Sequence, residues 1–454
     1  MRIPVLNDKK LDKDQNHFKY EPVSDQSGRA VQDRPMTIPA QQTKSEVKMP
    51  DISIHPSHSV MKQDMYEKMK LDPISAADER AGNLFDYINW RGDIPMSVDP
   101  FNEVDNLLLS ALVYAPFGGL VPDKGSITIY ALNIAFWNKY TAPDFASSNP
   151  ALRYAPFLLK KISTSGRYRS MRACSFYDET NSEDQCQFAA MTFLLEDGTC
   201  YTAFRGTDDS IIGWREDLNL SYMAMTRGQE LAVDYMNRVF AGNNLFIRVG
   251  GHSKGGNLAV YAGMHCQPEI QDRIRVIFSN DGPGFNRQIT DSEEYRCILP
   301  KIVKYMPEDS IVGILLDSGA AAEIVKSTRS GIYQHSPYTW MIRRNRIHRA
   351  KERSEISKFI DHTVDDWINM LDPDSKRTFI DVLFSAIDSS GAKTISEFTE
   401  DPLRSYKAFY KTMKDIPQSQ RATMLLVLSK LAKSGGNQIL TGLTDYLSDL
   451  ARKS

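Results

Sequence analysis

Hydrophobic and polar residues follow a different pattern in each of three parts of the chain. Residues 1–75 show little periodicity and contain many Lys, Asp, Gln, Ser and Pro residues, with few aromatic ones. Such a segment buries too little apolar surface to offset the entropy that it would lose on folding. We therefore expect residues 1–75 to form a disordered or loosely attached polar arm.

The second part, residues 76–350, begins with helical spacing and continues as strands that alternate with helices. Apolar residues recur every three or four positions in two segments, and Asn102 is a suitable N-cap for the second. Helices are predicted at residues 83–90, 102–114, 127–140, 154–162, 230–240 and 255–266. Short apolar runs predict strands at residues 188–195, 199–204, 245–249, 273–278 and 301–305. This alternation is typical of an α/β protein with a mainly parallel sheet and helices on both faces.

The third part, residues 351–454, returns to helical spacing. Amphipathic helices are predicted at residues 356–371, 375–387, 403–413 and 419–432. We expect this C-terminal region to pack on the preceding domain or to cap it.

Composition and charge then restrict the partners and the compartment. The net charge of −2 gives no reason to expect nucleic acid as a partner. The five cysteines are scattered and show neither a disulfide framework nor metal-ligand spacing, so we expect a reducing compartment and neither a metal nor a cofactor. No apolar run approaches the roughly 20 residues of a transmembrane helix, and the N-terminus lacks the apolar region of a secretory signal. We therefore predict a cytoplasmic location.

The most informative motif follows the apolar strand at residues 245–249. It is a G-x-S-x-G sequence formed by Gly251, Ser253 and Gly255, and a helix rich in small residues comes next. In a sharp strand-to-helix turn of this kind the serine hydroxyl projects above the sheet, and side chains at the glycine positions would clash. We predict that Ser253 is a nucleophile. The alternative is a glycine-rich turn that binds phosphate, although neither the dinucleotide fingerprint nor the P-loop pattern is complete.

A serine nucleophile needs a histidine base, which in this chain order lies after the serine. His265 lies in the helix that follows Ser253, His348 in a basic run and His362 in a predicted C-terminal helix. His335 lies in an irregular segment past the last predicted strand. His335 is therefore the predicted general base.

The base in turn needs an acid that orients it, and two aspartates follow predicted strands. Asp281 comes after the strand at residues 273–278 and Asp309 after the strand at residues 301–305. We favour Asp309 because one further strand separates it from the nucleophile, and Asp281 is the alternative acid. Glu308 is a weaker candidate. For either aspartate, the alternative to a catalytic role is a structural one, in which the side chain only caps a loop.

Two main-chain amides are expected to bind the oxyanion that forms in acyl transfer. The amide of Lys254 lies at the N-terminus of the helix after the nucleophile. Thr207 follows Gly206 in the loop directly after the strand at residues 199–204, and its amide or hydroxyl is the second predicted donor. The alternative for this loop is an ordinary glycine turn.

Four segments together resemble the class-3, fungal-lipase-like hydrolases. They are FRGTDDS at residues 204–210, GHSKGGNLA at 251–259, PEDSIVG at 307–313 and HSPYTW at 335–340. The resemblance extends upstream to YINWRGD at residues 87–93 and PFNEVDN at 100–106 in a bacterial group of uncharacterised lipase-like proteins, the Mbeg-like family, which the chain resembles still more closely over about residues 80–450. The resemblance implies an α/β-hydrolase fold, with Ser253, Asp309 and His335 as the triad and Thr207 as the oxyanion residue.

Two features depart from the class-3 lipases. Lys254 stands where leucine is usual, and no apolar lid helix is evident between Asp208 and Glu230. The expected function is hydrolysis of a carboxylic ester through an acyl-enzyme, and long triglycerides are disfavoured as substrates. The alternatives are a non-catalytic binding protein with the same fold, and a thioesterase or amidase that uses the same triad.

Overall fold

The computed structural model describes residues 81–146, 149–208, 210–220, 223, 225–316, 318–355, 357–358, 373–392, 402–418 and 421. The predicted arm at residues 1–75 lies outside the described residues, as do most of the predicted helices at 356–371 and 419–432. The division of the chain into an arm, a central domain and a C-terminal region stays a prediction.

An eight-stranded sheet runs through the centre, and its strands lie in the same order as along the chain. The first three pairings are antiparallel and the last four are parallel. The strands are β1 (Ile127–Thr128), β2 (Arg172–Asn181), β3 (Cys186–Leu194), β4 (Cys200–Phe204), β5 (Ile247–His252), β6 (Ile274–Asn280), β7 (Ile302–Pro307) and β8 (Ala322–Val325). A separate antiparallel pair consists of β9 (Ile342–Arg343) and β10 (Arg346–Ile347).

Helices precede, interrupt and follow the sheet. They are α1 (Leu84–Arg91), α2 (Glu103–Leu112), α3 (Ile129–Lys139), α4 (Pro150–Ile162), α5 (Ile211–Asn219), α6 (Arg227–Phe240), α7 (Lys254–His265), α8 (Pro268–Gln271), α9 (Arg287–Thr290), α10 (Glu293–Ile298), α11 (Pro373–Ser390) and α12 (Pro402–Asp415). Asn102 caps α2 as predicted, since its side chain accepts hydrogen bonds from the Val104 and Asp105 amides.

Both faces of the sheet are covered by helices. Side chains of β4 alternate between two hydrophobic cores: Tyr201 and Ala203 belong to the core formed with α1–α4, whereas Cys200 and Phe204 belong to the core formed with α6 and α7. This arrangement, with the parallel half of the sheet between helical layers, confirms the predicted α/β-hydrolase fold class.

The parallel strands bring their carboxyl ends to one edge of the sheet, where the loops after β4, β5, β6, β7 and β8 meet. The predicted strands of this half are all present. Three strands of this sheet were not predicted, nor was the separate pair β9 and β10. β1 has only two residues and β8 only four, while β2 is half-exposed and carries many polar residues, so none of them shows a clear apolar pattern.

A helix that the sequence did not predict, α5, lies between Asp208 and Glu230. Its apolar residues pack against α11, where Trp214 and Leu218 contact a cluster that contains the fully buried Ile380. The Arg215 guanidinium lies 2.6 Å from the Asp381 carboxylate. The segment that was expected to lack an apolar lid helix therefore contains α5. Helix α11, from the C-terminal part of the chain, packs against it. No helix among the described residues has the length and apolar character to cross a bilayer.

Candidate active site

Ser253 occupies a strained turn between β5 and α7. Its backbone angles are φ 58° and ψ −134°, which a residue with a side chain rarely adopts. A Cβ added to Gly251 would lie 2.2 Å from the carbonyl carbon of Gly255, so the turn closes only with glycine at these positions. The Ser253 amide donates to the Asn280 carbonyl at 3.0 Å. This is the geometry of a nucleophile elbow.

The elbow opens into a cavity of about 730 Å³ that Ser253 and His335 both line. Its wall is mainly apolar, and α5 and the loops after β6 and β7 contribute part of it, together with the start of α4 and the segment after β8. The apolar wall residues from these segments include Trp214, Leu218, Pro283, Val312, Leu315 and Leu316. Such a volume suits a ligand of small-molecule size.

His335 is held by a buried carboxylate, and that carboxylate belongs to Asp281. The His335 Nδ1 lies 2.6 Å from Asp281 Oδ2; the Asp281 side chain is fully buried, while the imidazole is 26% exposed. Asp281 Oδ1 accepts a second hydrogen bond from Ser310 Oγ at 2.5 Å. With the Nδ1 hydrogen donated to Asp281, the Nε2 lone pair of His335 is left free to accept a proton.

The expectation that Asp309 orients His335 is therefore corrected in favour of the alternative, Asp281. The register between β5 and β6 pairs His252 with Asn280, so Ser253 and Asp281 follow at adjacent strand ends. Asp309 lies farther along, after β7. Its Oδ2 accepts hydrogen bonds from the Gly331 amide at 2.8 Å and from Gln334 Nε2 at 2.9 Å. Asp309 thus holds the backbone of the histidine loop and not the imidazole.

His252, for which the sequence predicts no role, joins the nucleophile turn to the same loop. Its Nε2 lies 2.7 Å from the His335 carbonyl oxygen, so Nε2 carries the hydrogen and Nδ1 accepts from Tyr114 Oη at 3.1 Å. Burial, with help from the neighbouring His335, holds the pKa of His252 well below its usual value, so this imidazole is neutral. The sequence feature that could have indicated a role for His252 is its position directly before Ser253, in a turn that faces the predicted site.

The loop after β4 passes directly against the elbow. A Cβ added to Gly206 would lie 2.4 Å from the His252 carbonyl oxygen and 3.0 Å from Ser253 Cβ, so only glycine permits this approach. Thr207, the next residue, lines the cavity together with Ser253 and Lys254. The structure thus brings both predicted oxyanion residues to the cavity of the predicted nucleophile.

The Lys254 side chain turns away from the cavity into the protein, which the sequence did not predict. Its Nζ lies 2.7 Å from Glu216 Oε2 and 2.7 Å from the Gln187 carbonyl oxygen, and the ion pair is almost completely buried. Burial alone would lower the pKa of Lys254, but the carboxylates of Glu216 and Asp217 raise it above its usual value. Lys254 therefore remains charged.

Asp217 on α5 also lines the cavity, and its Oδ1 is buried with no hydrogen-bond partner among the described residues. Burial raises the pKa of Asp217 to about 6, although the Lys254 ammonium and a hydrogen bond with Thr207 lower it. Within the described part of the chain, no group of three or more His, Cys, Asp or Glu side chains is arranged to hold a metal ion.

We expect the Asp217 carboxyl to make the stability of the protein depend on pH. Its pKa is raised on folding, so its effect is neutral below the unfolded pKa near 4, and its destabilising effect grows as the pH rises from 4 through the folded pKa of about 6 and is then constant. Relative to Asp217→Asn, the wild type should lose about 2–3 kcal/mol of unfolding free energy between pH 4 and pH 8. Denaturant unfolding at several pH values measures this difference.

The exposed residue Asp123 provides the control, since Asp123→Asn should follow the wild-type pH dependence. A constant difference between Asp217→Asn and the wild type over this pH range would show that folding does not raise the pKa of Asp217.

Comparison with known proteins agrees with the sequence motifs. A family model described as Mbeg1-like matches residues 162–385, a range that contains Thr207, Ser253, Asp281 and His335. No curated protein sequence matches the chain significantly.

Several solved structures are similar at low identity. A fungal lipase–inhibitor complex has 15% identity and a TM-score of 0.31, and the match covers 62% of this chain and 91% of the lipase. M37 lipase has 13% identity and a TM-score of 0.31, with coverage of 48% and 70%. Rhizomucor miehei lipase in a propeptide complex has 16% identity and a TM-score of 0.26, with coverage of 41% and 62%. These likenesses are too weak to bear on function. The chain has an α/β-hydrolase fold, and over residues 162–385 it is similar to the Mbeg1-like family.

Proposed function

We propose that the protein is a serine hydrolase that cleaves carboxylic esters through an acyl-enzyme. The observation that carries this proposal is the strained backbone of Ser253 beside a hydrogen-bonded histidine. Ser253 lines the same cavity as His335, whose imidazole is held by the buried Asp281. Backbone strain of this kind costs of order 1–3 kcal/mol, and proteins retain it mainly at functional sites. A non-catalytic binding protein would have no use for that cost, which favours the enzyme over the binding alternative.

In the proposed reaction, Ser253 Oγ attacks the ester carbonyl carbon while His335 Nε2 takes its proton. The carbonyl oxygen becomes an oxyanion that accepts hydrogen bonds from the Thr207 and Lys254 amides. The carbon–oxygen bond to the alcohol then breaks, and His335 returns the proton to the departing alkoxide. Water attacks the acyl-enzyme by the same route, which releases the acid and restores Ser253.

Asp281 keeps the His335 imidazole in the tautomer that leaves Nε2 free, and it stabilises the imidazolium after proton transfer. No hydrogen bond of the Ser253 hydroxyl is present among the described residues, and in the proposed mechanism its bond to His335 forms when substrate binds. Catalytic hydrogen bonds often tighten only in the substrate complex. His335 ends a short 3-10 helix, Gly331–His335, and its imidazole is partly exposed to the cavity.

The apolar wall of the cavity favours an uncharged, apolar acyl or alcohol group of moderate size. The geometry supports ester cleavage and leaves thioesters and amides as alternatives for the same triad, because the leaving group does not change the machinery. We also propose a cytoplasmic location, which the five unpaired cysteines favour.

An active-site-directed fluorophosphonate should label the wild-type protein once, at Ser253, because only this hydroxyl is proposed to be activated. Labelled peptides are identified by mass spectrometry. Ser253→Ala should abolish labelling, whereas Ser336→Ala, which removes another hydroxyl from the cavity wall, should leave one label in place. Folded wild-type protein that takes up no label would disprove the serine-hydrolase proposal.

The two aspartates should differ in their effect on turnover. Asp281→Asn should lower kcat for p-nitrophenyl butanoate by about 10³–10⁴-fold, because the histidine then loses its correct tautomer. Asp309→Asn changes a loop contact only, so we expect less than about a tenfold loss.

Steady-state kinetics on both variants, with thermal unfolding as the check on folding, makes this comparison. The pairing seen in the structure would be the wrong one for catalysis if Asp309→Asn proved the more damaging change.

A further inference from the structure

A buried polar network lies behind the oxyanion side of the cavity and has no part in the reaction steps above. Its members are Lys254, Glu216 and Gln187, each at most 2% exposed. Replacing a buried ion pair by apolar residues is often neutral or stabilising, so stability alone is a weak reason for such a pair. The contacts of these residues point to a different role.

The ion pair completes the backbone hydrogen bonds of one residue on β3. β4 ends at Phe204, opposite Ala190, so Gln187 extends past the end of its neighbouring strand. Its carbonyl oxygen accepts from Lys254 Nζ at 2.7 Å, and its amide donates to Glu216 Oε2 at 3.0 Å. The side chains of the nucleophile turn and of α5 therefore replace the strand that is missing at this point.

The side chain of Gln187 continues from there to the oxyanion loop. Its Oε1 accepts from the Asp208 amide at 3.2 Å, directly after Thr207. Burial would raise the pKa of Asp208, but hydrogen bonds from Ser210 and from Gln187 hold it below its usual value. Gln187 thus contacts both the amide and the carboxylate of Asp208.

Close packing leaves Gln187 little freedom to move. A Cβ added to Gly213 on α5 would lie 2.5 Å from Gln187 Oε1 and 2.6 Å from Thr207 Cγ2. The side-chain amide of Gln187, the methyl group of Thr207 and α5 therefore pack against one another without spare volume.

We propose that Gln187 is a positioning residue that links the Lys254 side chain to the Thr207–Asp208 loop and so fixes the two oxyanion donors relative to each other. The path runs from the helix that carries one donor, through the Lys254 ammonium and Gln187, to the residue after the other donor. This inference rests on the proposed serine-hydrolase function. A displacement of about 1 Å at such a donor costs on the order of 100-fold in rate.

Gln187→Met tests the proposal because it retains the size of the side chain and the backbone contacts but removes the hydrogen bonds to Asp208. We expect kcat for p-nitrophenyl butanoate to fall by roughly 10- to 100-fold with KM within about twofold, since the oxyanion forms only in the transition state. The rate constant for fluorophosphonate labelling of Ser253 should fall in parallel.

Gln185→Met is the matched control. Gln185 lies two residues away, and its Oε1 accepts a comparable hydrogen bond from Asn219 Nδ2 at 2.9 Å, at the end of α5 remote from the oxyanion loop. The Gln185→Met variant should keep the wild-type kcat and labelling rate. Thermal unfolding of both variants measures how far the loss of side-chain hydrogen bonds lowers the stability of each.

The outcomes separate this inference from the proposed function. A wild-type protein that labels at Ser253, together with a Gln187→Met variant whose kcat and labelling rate match those of Gln185→Met, would overturn the positioning role alone. A loss confined to KM would also overturn it. Absence of labelling in the folded wild type would overturn both proposals.

Discussion

The hydrogen-bonded register between β5 and β6 determines where the chemistry of this protein can lie. His252 and Asn280 face each other at the ends of these two strands. The residue after each, Ser253 with φ 58° and Asp281 with φ 51°, has the left-handed backbone that a sharp exit from a strand requires. The residues that carry a hydroxyl and a carboxylate therefore follow neighbouring strand ends at one edge of the sheet, and the loop that carries His335 reaches the carboxylate there.

Burial then gives each ionisable group around the turn a separate role. His252 stays neutral and ties the turn to the histidine loop, while Lys254 stays charged because Glu216 compensates it. Asp217 also lies near the Lys254 ammonium but forms no direct ion pair within the described part of the chain, and burial raises its pKa to about 6. A low-dielectric environment makes such differences large, since each group depends on its nearest partner and not on water.

Local sequence patterns predicted the strands that carry the site, the nucleophile turn and the loop with His335, because each of these depends on neighbouring residues. The choice between Asp281 and Asp309 depends on strand register and on the path of a later loop, so spacing along the chain favoured the wrong partner for the imidazole. The contacts of Gln187, Glu216 and Lys254 join segments up to 67 residues apart. No local pattern reveals them, and the sequence predicts a role for the Lys254 amide but none for its side chain.

The central claim is that Ser253, His335 and the amides of Thr207 and Lys254 act on one reacting centre. A crystal structure of the phosphonate adduct at Ser253 tests it most directly, because the phosphoryl oxygen occupies the place of the oxyanion. The account predicts that this oxygen accepts hydrogen bonds from both amides, with the His335 Nε2 near Ser253 Oγ and its Nδ1 still on Asp281. A phosphoryl oxygen that points away from both amides, or a His335 displaced from Asp281 toward Asp309, would contradict the account.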